Sequence, residues 1–199
     1  MEEYSLAKVD KGIEMEYNAI REEIVNLTNS KDQFIIMMYS LCISIIGLTT
    51  FFKVEEIIGL IYIVLIPFQA LINTKLFQIA RCGAYINVFI EPNAQGLKWE
   101  KIIHIADKKF NQQYRFNLGN IQLTRNLAKY GSSIFSVLVV IMYFRNKIII
   151  NEVGISINRN NFWLMLLYIA ACLFVFYLNR KGSNFEKIYD TYLAIFQNM

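Results

Sequence analysis

The sequence predicts an all-α integral membrane protein, with four transmembrane helices and a cytoplasmic helical bundle. Four uncharged apolar stretches approach the ~20 residues that cross a hydrocarbon core, and they cover residues 34–52, 57–74, 130–144 and 162–178. Hydrophobic residues make up 55% of the chain and charged residues 18%, against about 25% charged in ordinary soluble domains. A soluble domain of 199 residues could hardly bury four such segments.

The positions of lysine and arginine predict the orientation of these spans. Of 20 such residues, 16 lie in the N-terminal, middle and C-terminal segments, which share one side of the membrane if there are four spans. Cytoplasmic segments carry the excess of Lys and Arg, so both termini are predicted to be cytoplasmic. The predicted divisions are a helix at 1–30, a transmembrane hairpin at 31–75, a cytoplasmic helical segment at 76–129, two further spans at 130–178 with an external loop at 145–161, and a C-terminal helix at 179–199.

The first 30 residues are predicted to form an amphipathic helix that packs against protein. Apolar residues recur there every three or four positions, at Leu6, Val9, Ile13, Tyr17, Ile20, Ile24 and Leu27. That period is helical, and the opposite face is acidic, whereas helices that lie on membranes are rich in Lys and Arg. No basic-then-apolar pattern of a cleavable signal peptide is present. The capping-box sequence Ser30-Lys31-Asp32-Gln33 predicts that the first span starts as a helix there.

One face of the first span carries small residues. Ser40, Ser44 and Gly47 recur at helical spacing, and small side chains let two helices approach closely in lipid. Two interpretations stay open for this small-residue face: it packs against the second span, or it lines a pore. The connection of four residues, 53–56, predicts that the first two spans form an antiparallel hairpin.

The second span carries polar side chains but no ionisable ones. Pro67 is predicted to kink the helix, and Gln69 and Asn73, one turn apart, are predicted to hydrogen-bond to a neighbouring helix. No uncharged core of any span holds Asp, Glu, Lys, Arg or His. Since ionisable intramembrane residues mark proton relays and coupled transporters, this absence argues against a pump. The helix is predicted to continue beyond the span and to end at Glu91-Pro92.

The remaining elements are predicted from local signals. The third apolar stretch has 15 residues and reaches only ~22 Å as a helix, so it is predicted either to extend toward Ile150 or to start earlier, near Asn120. A small external hairpin is predicted at 148–157, and a helix at 98–114. A second capping box, Ser183-Asn184-Phe185-Glu186, predicts the start of the C-terminal helix. Its apolar stripe consists of Phe185, Ile188, Tyr192, Leu193 and Phe196.

No pattern of catalytic, cofactor-binding or metal-ligating residues is present. The lone histidine, His104, lies among isoleucines, and Cys42, Cys82 and Cys172 have no metal-ligand spacing. No Gly-rich loop is suited to phosphate, and no basic stripe with interleaved aromatics is suited to nucleic acid. The sequence therefore predicts neither an enzyme, nor a cofactor, nor a nucleic-acid partner.

Charged and aromatic residues of the cytoplasmic segments form a candidate clamp. Its members are Arg21, Glu22, Arg81, Tyr85, Glu91, Trp99 and Glu100. Arg21 or Arg81 could pair with Glu91 or Glu100, while Trp99 fills the junction of helices. Two interpretations stay open: an ion-pair network that fixes the bundle, or a recognition site for a nucleotide-like or protein ligand.

The residues around this clamp resemble those of a widespread family of small bacterial inner-membrane proteins with four spans. The resemblance lies in the Arg-Glu-Glu-Ile sequence at 21–24, the Tyr-Ile-Asn-Val-Phe-Ile-Glu-Pro stretch at 85–92 and the Gly-Leu-Lys-Trp-Glu box at 96–100. It covers roughly residues 17–100 and is weak thereafter. It implies a place in the bacterial inner membrane and a role in a defence or stress module, and loosely suggests membrane-disrupting effectors.

Two functions from different classes are compatible with these features. The first is a homo-oligomeric effector that perturbs or permeabilises the lipid bilayer after its cytoplasmic bundle receives a signal. The second is a membrane scaffold or sensor subunit whose cytoplasmic surface docks a protein partner or a signalling ligand, and whose spans are only an anchor.

Overall fold

The computed structural model describes residues 2–52, 54–93, 119–147, 149–151, 154–156, 159–182 and 184–199. This part of the chain is almost entirely helical, with one short hairpin. Its elements in order are α1 Glu2–Phe52, a 3-10 turn Glu55–Gly59, α2 Leu60–Tyr85, a π turn Ile86–Ile90, α3 Gly119–Lys147, β1 Ile149–Asn151, β2 Gly154–Ser156, α4 Arg159–Gly182 and α5 Phe185–Gln197. The predicted helix 98–114 and the box at 96–100 lie outside the described residues.

Three helical segments of the described chain are long and apolar enough to span a membrane. They are Lys11–Phe52, Ile57–Ile90 and Phe162–Gly182. Only 17% of the most apolar stretch of the first segment is buried inside the protein, so most of its apolar surface faces outward, as lipid contact requires. The fourth predicted span appears as a shorter apolar segment, Tyr130–Phe144. These lengths and compositions are those of a helical membrane protein.

The chain divides into two compact units. The terminal unit combines Met1–Lys31, Thr74–Leu123 and Asn184–Met199, and the span unit combines Asp32–Asn73 and Thr124–Ser183. In the terminal unit, Tyr17 of α1 packs against Ile86 and Ile90 of the π turn. On another side of α2, Ala80 and Ala84 pack against Tyr189 of α5. The described part of the terminal unit is therefore a helical bundle in which apolar stripes of α1, α2 and α5 pack together.

Helix α1 is one unbroken helix of 51 residues, so the prediction of a new helix start at Ser30 is wrong. An N-cap residue must leave the helical conformation, and Ser30 lies in the helix interior. Two residues earlier, the Thr28 hydroxyl donates to the Ile24 carbonyl at 2.8 Å, a bond typical of a mid-helix threonine. With no proline in α1, nothing stops the helix between the acidic stretch and the apolar one.

Helix α2 contains Pro67 and continues directly into the π turn. In this turn the Glu91 amide donates to the Ile86 carbonyl at 2.9 Å, five residues back rather than four. A hydrogen-bonded turn at Glu91–Asn93 then ends the helix, as the sequence predicts. The sequence does not predict the π turn.

Helix α3 covers Gly119–Lys147, 29 residues. It starts near Asn120, as one alternative predicts, and it also extends past Phe144 as far as Lys147, in the direction that the other alternative predicts. The predicted hairpin comes directly after it. Its strands pair antiparallel, with Ile150 opposite Ile155 and Asn151 opposite Gly154.

Helix α5 begins at Phe185, with Asn184 at the N-cap and without a side-chain capping bond. The capping box predicted from Ser183 is therefore wrong: the N-cap is Asn184, whose carbonyl accepts the first helical bond from the Ile188 amide, and Lys187 stands where a capping box needs Glu or Gln. Ile188, Tyr192, Leu193 and Phe196 of the predicted stripe pack in the bundle, while Phe185 is exposed.

Candidate functional site

The span unit has a polar interior between α2 and α4. Asn73 is buried, and its side-chain nitrogen donates to the Leu178 carbonyl of α4 at 2.7 Å. Its side-chain oxygen accepts from Gln69, also buried, at 3.2 Å. Gly182 lies directly against Asn73, because a Cβ atom at Gly182 would collide with the Asn73 amide. Asn73 thus makes the interhelical bond, and Gln69 orients Asn73.

A second polar contact joins α3 to α4. The buried Asn179 donates to the Ser133 hydroxyl at 2.8 Å. Ser132 and Ser136, on the same side of α3, are also buried. Serine is small enough to let helix backbones come close, and its hydroxyl can bond across the contact.

A tyrosine cluster forms the third polar contact. The Tyr62 hydroxyl of α2 donates to the Ser136 carbonyl of α3 at 2.9 Å. The Tyr168 ring of α4 lies 5.9 Å from the Tyr62 ring and 4.6 Å from the Tyr143 ring, measured between centroids. Tyr62, Tyr143 and Tyr168 are all at least 95% buried. In the span unit, the polar tips of Asn73, Asn179 and Tyr62 therefore each hydrogen-bond to a neighbouring helix of the unit.

The small-residue face lies outside this interior. Ser40, Ser44 and Gly47 are exposed, and a Cβ atom on Gly47 would meet nothing within 4 Å. The interpretation that this face packs against the second span is therefore wrong. The buried residues of this part of α1 are Met38 and Cys42, and Ser40 lies about 200° around the helix axis from Met38.

In the terminal unit, Arg81 of the candidate clamp has different neighbours from those predicted. Arg81 is exposed and lies about 15 Å along the helix from Glu91 at the usual rise. Burial raises the pKa of the Cys82 thiol, and the nearby Glu23 carboxylate of α1 raises it further, while Arg81 lowers it. Glu91 is buried at the end of the π turn. The predicted pairing of Arg81 with Glu91 is therefore not made, and Arg81 lies instead near Cys82 and Glu23.

The other predicted clamp residues lie on α1, on α2 or outside the described residues. Arg21 and Glu22 are exposed on α1. The Tyr85 hydroxyl donates to a Glu16 carboxylate oxygen at 2.7 Å and joins α2 to α1. Trp99 and Glu100 lie outside the described residues. The structure therefore brings together Tyr85 and Arg81 with α1, but through glutamates that the sequence analysis did not single out.

Glu16 and Glu23 could have been found from their spacing. They are seven residues apart, so they lie on the same side of α1, beside the seam of Ile13, Tyr17, Ile20 and Ile24 that packs in the bundle. Asn87 and Tyr189 were missed for another reason. The Asn87 amide donates to the Tyr189 hydroxyl at 3.0 Å, and nothing in the sequence pairs two residues so far apart.

Within each of the two units, the contacts described above join helices of that unit. Within the described residues, no group of three or more His, Cys, Asp or Glu side chains could hold a metal ion. Asn73, Asn179 and Tyr62 join spans, while Tyr85 and Asn87 join helices of the terminal unit. Neither a protein-family model, nor a curated protein, nor a solved structure matches this chain.

Proposed function

We propose that this chain is a homo-oligomeric effector of the bacterial inner membrane, which perturbs or permeabilises the bilayer as part of a defence or stress module. The observation that carries this proposal is the exposed small-residue face of Ser40, Ser44 and Gly47. A helix of a second copy could approach this face closely at Ser40, Ser44 and Gly47, since small side chains let helix backbones come near one another. The bacterial defence setting rests on the resemblance of residues 21–24, 85–92 and 96–100.

The proposed topology has four spans with both termini in the cytoplasm. Support comes from the two ends of α4, where Phe162 and the 67% exposed Trp163 start the apolar segment and Arg180 and Lys181 occupy the last turn. Aromatic residues favour the membrane interface, and cytoplasmic ends carry Lys and Arg. The 29 residues of α3 would extend about 43 Å, enough to cross the hydrocarbon core.

The function is tested with substitutions on the small-residue face. Ser44→Leu and Gly47→Leu add apolar area, so both variants should insert and fold, but the larger side chains should separate paired helices and prevent assembly. Ile43→Leu, at a 63% exposed position beside this face, is the matched control, because it exchanges one branched side chain for another of the same size and adds no bulk. A voltage-sensitive dye in expressing cells should report loss of membrane potential for wild type and Ile43→Leu, and normal potential for both face variants.

Two results would contradict the effector proposal. If wild type leaves the membrane potential intact when it is expressed or activated, the protein does not permeabilise the membrane. If Ser44→Leu and Gly47→Leu depolarise cells as wild type does, the small-residue face is not the assembly surface.

The second candidate function is a scaffold or sensor subunit. One observation favours it: the interhelical amides Asn73 and Asn179 find their partners inside the span unit, as expected of spans that serve as an anchor. A soluble protein that copurifies with the full chain, from cells that keep a normal membrane potential, would establish this function instead.

A further inference from the structure

The π turn is an unusual element at the centre of the terminal unit. Residues Ile86–Ile90 continue α2, and the Glu91 amide reaches back five residues to the Ile86 carbonyl. A π turn therefore holds one residue more than an α-helical turn. Such turns occur mostly as single interruptions of α-helices and often at functional sites. Contacts from outside the helix must favour this one over a regular α-helical turn.

Those contacts come from two helices on different sides of the turn. On the α1 side, Ile86 and Ile90 are 1% and 2% exposed and pack against Tyr17. On the α5 side, the Asn87 amide donates to the Tyr189 hydroxyl at 3.0 Å, and the Phe89 ring lies 5.6 Å from the Phe196 ring. The α1 side is apolar, whereas the α5 side combines a hydrogen bond with an aromatic contact.

The two helices differ in how easily they can leave. Helix α1 has 51 residues, whereas α5 has 13 and lacks a side-chain cap at its N-terminus. Isolated helices shorter than about 12–15 residues are marginal in water, so α5 depends on its docking. We infer that α5 is a latch: docked, it holds the π turn, and undocked, it lets the turn convert into an α-helix.

Conversion would change the direction of the chain after the turn. Accommodating the extra residue in a regular α-helix rotates the residues beyond the turn by about 100° around the helix axis and shifts them by about 1.5 Å. Phe89 and Ile90 are displaced together with Glu91 and Pro92, and both Ile90 and Glu91 would leave their buried positions. The docking of α5 thus sets the orientation of residues 89–93. Because packed elements have discrete arrangements, the change is a switch between two states.

Hydrogen exchange of the full-length protein in lipid nanodiscs tests the latch. Phe196→Ala removes the ring that contacts Tyr85 and Phe89, and Tyr189→Phe removes the acceptor of the Asn87 amide. Both variants should accelerate amide exchange in peptides covering residues 86–91 by about tenfold, since local opening sets exchange rates. Peptides covering residues 11–24 of α1 should exchange as in wild type.

A deletion tests whether the turn can become α-helical. Deleting Val88 removes the extra residue, so Phe89 and Ile90 should keep their places in a continuous α-helix. This variant should fold, exchange slowly at residues 86–91, and no longer respond to Phe196→Ala. Deleting Ile79, in the regular part of α2, is the matched control and should disrupt the terminal unit, because everything after it is rotated.

Two results would overturn the latch. One is that Phe196→Ala and Tyr189→Phe speed exchange in α5 alone and leave residues 86–91 unchanged. The other is that deletion of Val88 disrupts the terminal unit as strongly as deletion of Ile79. Neither readout depends on membrane permeability, so the latch and the effector proposal can fail separately.

Discussion

In the span unit, two glycines let a polar side chain of a neighbouring helix lie directly against the helix backbone. Gly182 of α4 faces the Asn73 amide, and Gly131 of α3 faces the Tyr39 hydroxyl of α1. A Cβ atom at either glycine would collide with that group. A glycine inside a helix costs about 0.5–1 kcal/mol relative to alanine. Gly131, inside α3, carries that cost, whereas Gly182 is the last residue of α4. Both positions allow a close approach, with a polar group of the neighbouring helix lying against the backbone.

Gly182→Ala should therefore destabilise the span unit. The added methyl group displaces Asn73 from the Leu178 carbonyl and from Gln69, and leaving buried polar groups unpaired costs about 1–3 kcal/mol. Reversible unfolding in detergent micelles measures this loss. Gly47→Ala is the matched control: it has open space around its Cβ position, and it should be neutral or stabilising. Equal effects of the two substitutions would show that the Asn73 contact does not stabilise the helix pair.

The exposed position of Arg81 predicts a small effect on stability. An exposed charge pair contributes about 0–1 kcal/mol, so Arg81→Ala should lower the free energy of unfolding by less than that. Ile86→Ala, at a position 1% exposed, should cost about 2–5 kcal/mol because it leaves a cavity in the packed terminal unit. Chemical denaturation of both variants provides the comparison. A loss at Arg81 as large as that at Ile86 would require a buried ion pair there.

At the scale of whole elements, α1 makes the sharpest prediction because it runs through Ser30 without a break. Ser30→Ala should leave stability unchanged or slightly raise it, since alanine has the higher helix propensity. If Ser30 were an N-cap residue, the same substitution would instead lower the free energy of unfolding by about 1 kcal/mol. Ser30→Pro should cost about 3 kcal/mol or more, because proline breaks a helix interior. Circular dichroism and thermal unfolding distinguish the two cases.

The sequence predicts which side of a helix is packed only where an apolar face contrasts with a polar one. In the terminal unit, α1 alternates apolar and acidic residues, so the packed seam at Ile13, Tyr17 and Ile24 could be located from the sequence. In the span unit, α1 is apolar on every side. The pattern therefore could not indicate that Met38 and Cys42 face the interior while the small-residue face stays exposed.

The π turn and the partners of the buried amides could not be predicted from the sequence, for a related reason. Whether residues 86–90 form an α or a π turn depends on contacts with Tyr17, Tyr189 and Phe196, which come from distant parts of the chain. Likewise, Gln69 and Asn73 could be predicted to bond across helices, but the acceptor at Leu178 is a backbone carbonyl and carries no sequence signal.

For the whole molecule, the number of spans decides on which side each segment lies. Helices α1, α2 and α4 contain segments that meet the length and hydropathy of a span, while the apolar part of α3 is shorter. If α3 also spans, the hairpin β1–β2 lies outside and the C-terminus inside. If α3 does not span, the hairpin stays inside and the C-terminus lies outside, which would separate α5 from Ala80 and Ala84 of α2, against which Tyr189 packs. The hairpin and the C-terminus therefore each change side between the two topologies.

Fusions to alkaline phosphatase, which is active only outside the cytoplasm, separate these topologies. With four spans, fusion at Asn151 should be active, while fusions at Gly119 and Met199 should be inactive. With three spans, the fusion at Asn151 is inactive and the one at Met199 is active. The fusion at Gly119 is the control, because it is inactive in both cases if the N-terminus is cytoplasmic. We expect the four-span pattern, because 16 of the 20 lysines and arginines then lie on the cytoplasmic side. Activity of the Gly119 fusion would instead show that the N-terminus lies outside the cytoplasm, and it would contradict the orientation predicted from the lysines and arginines.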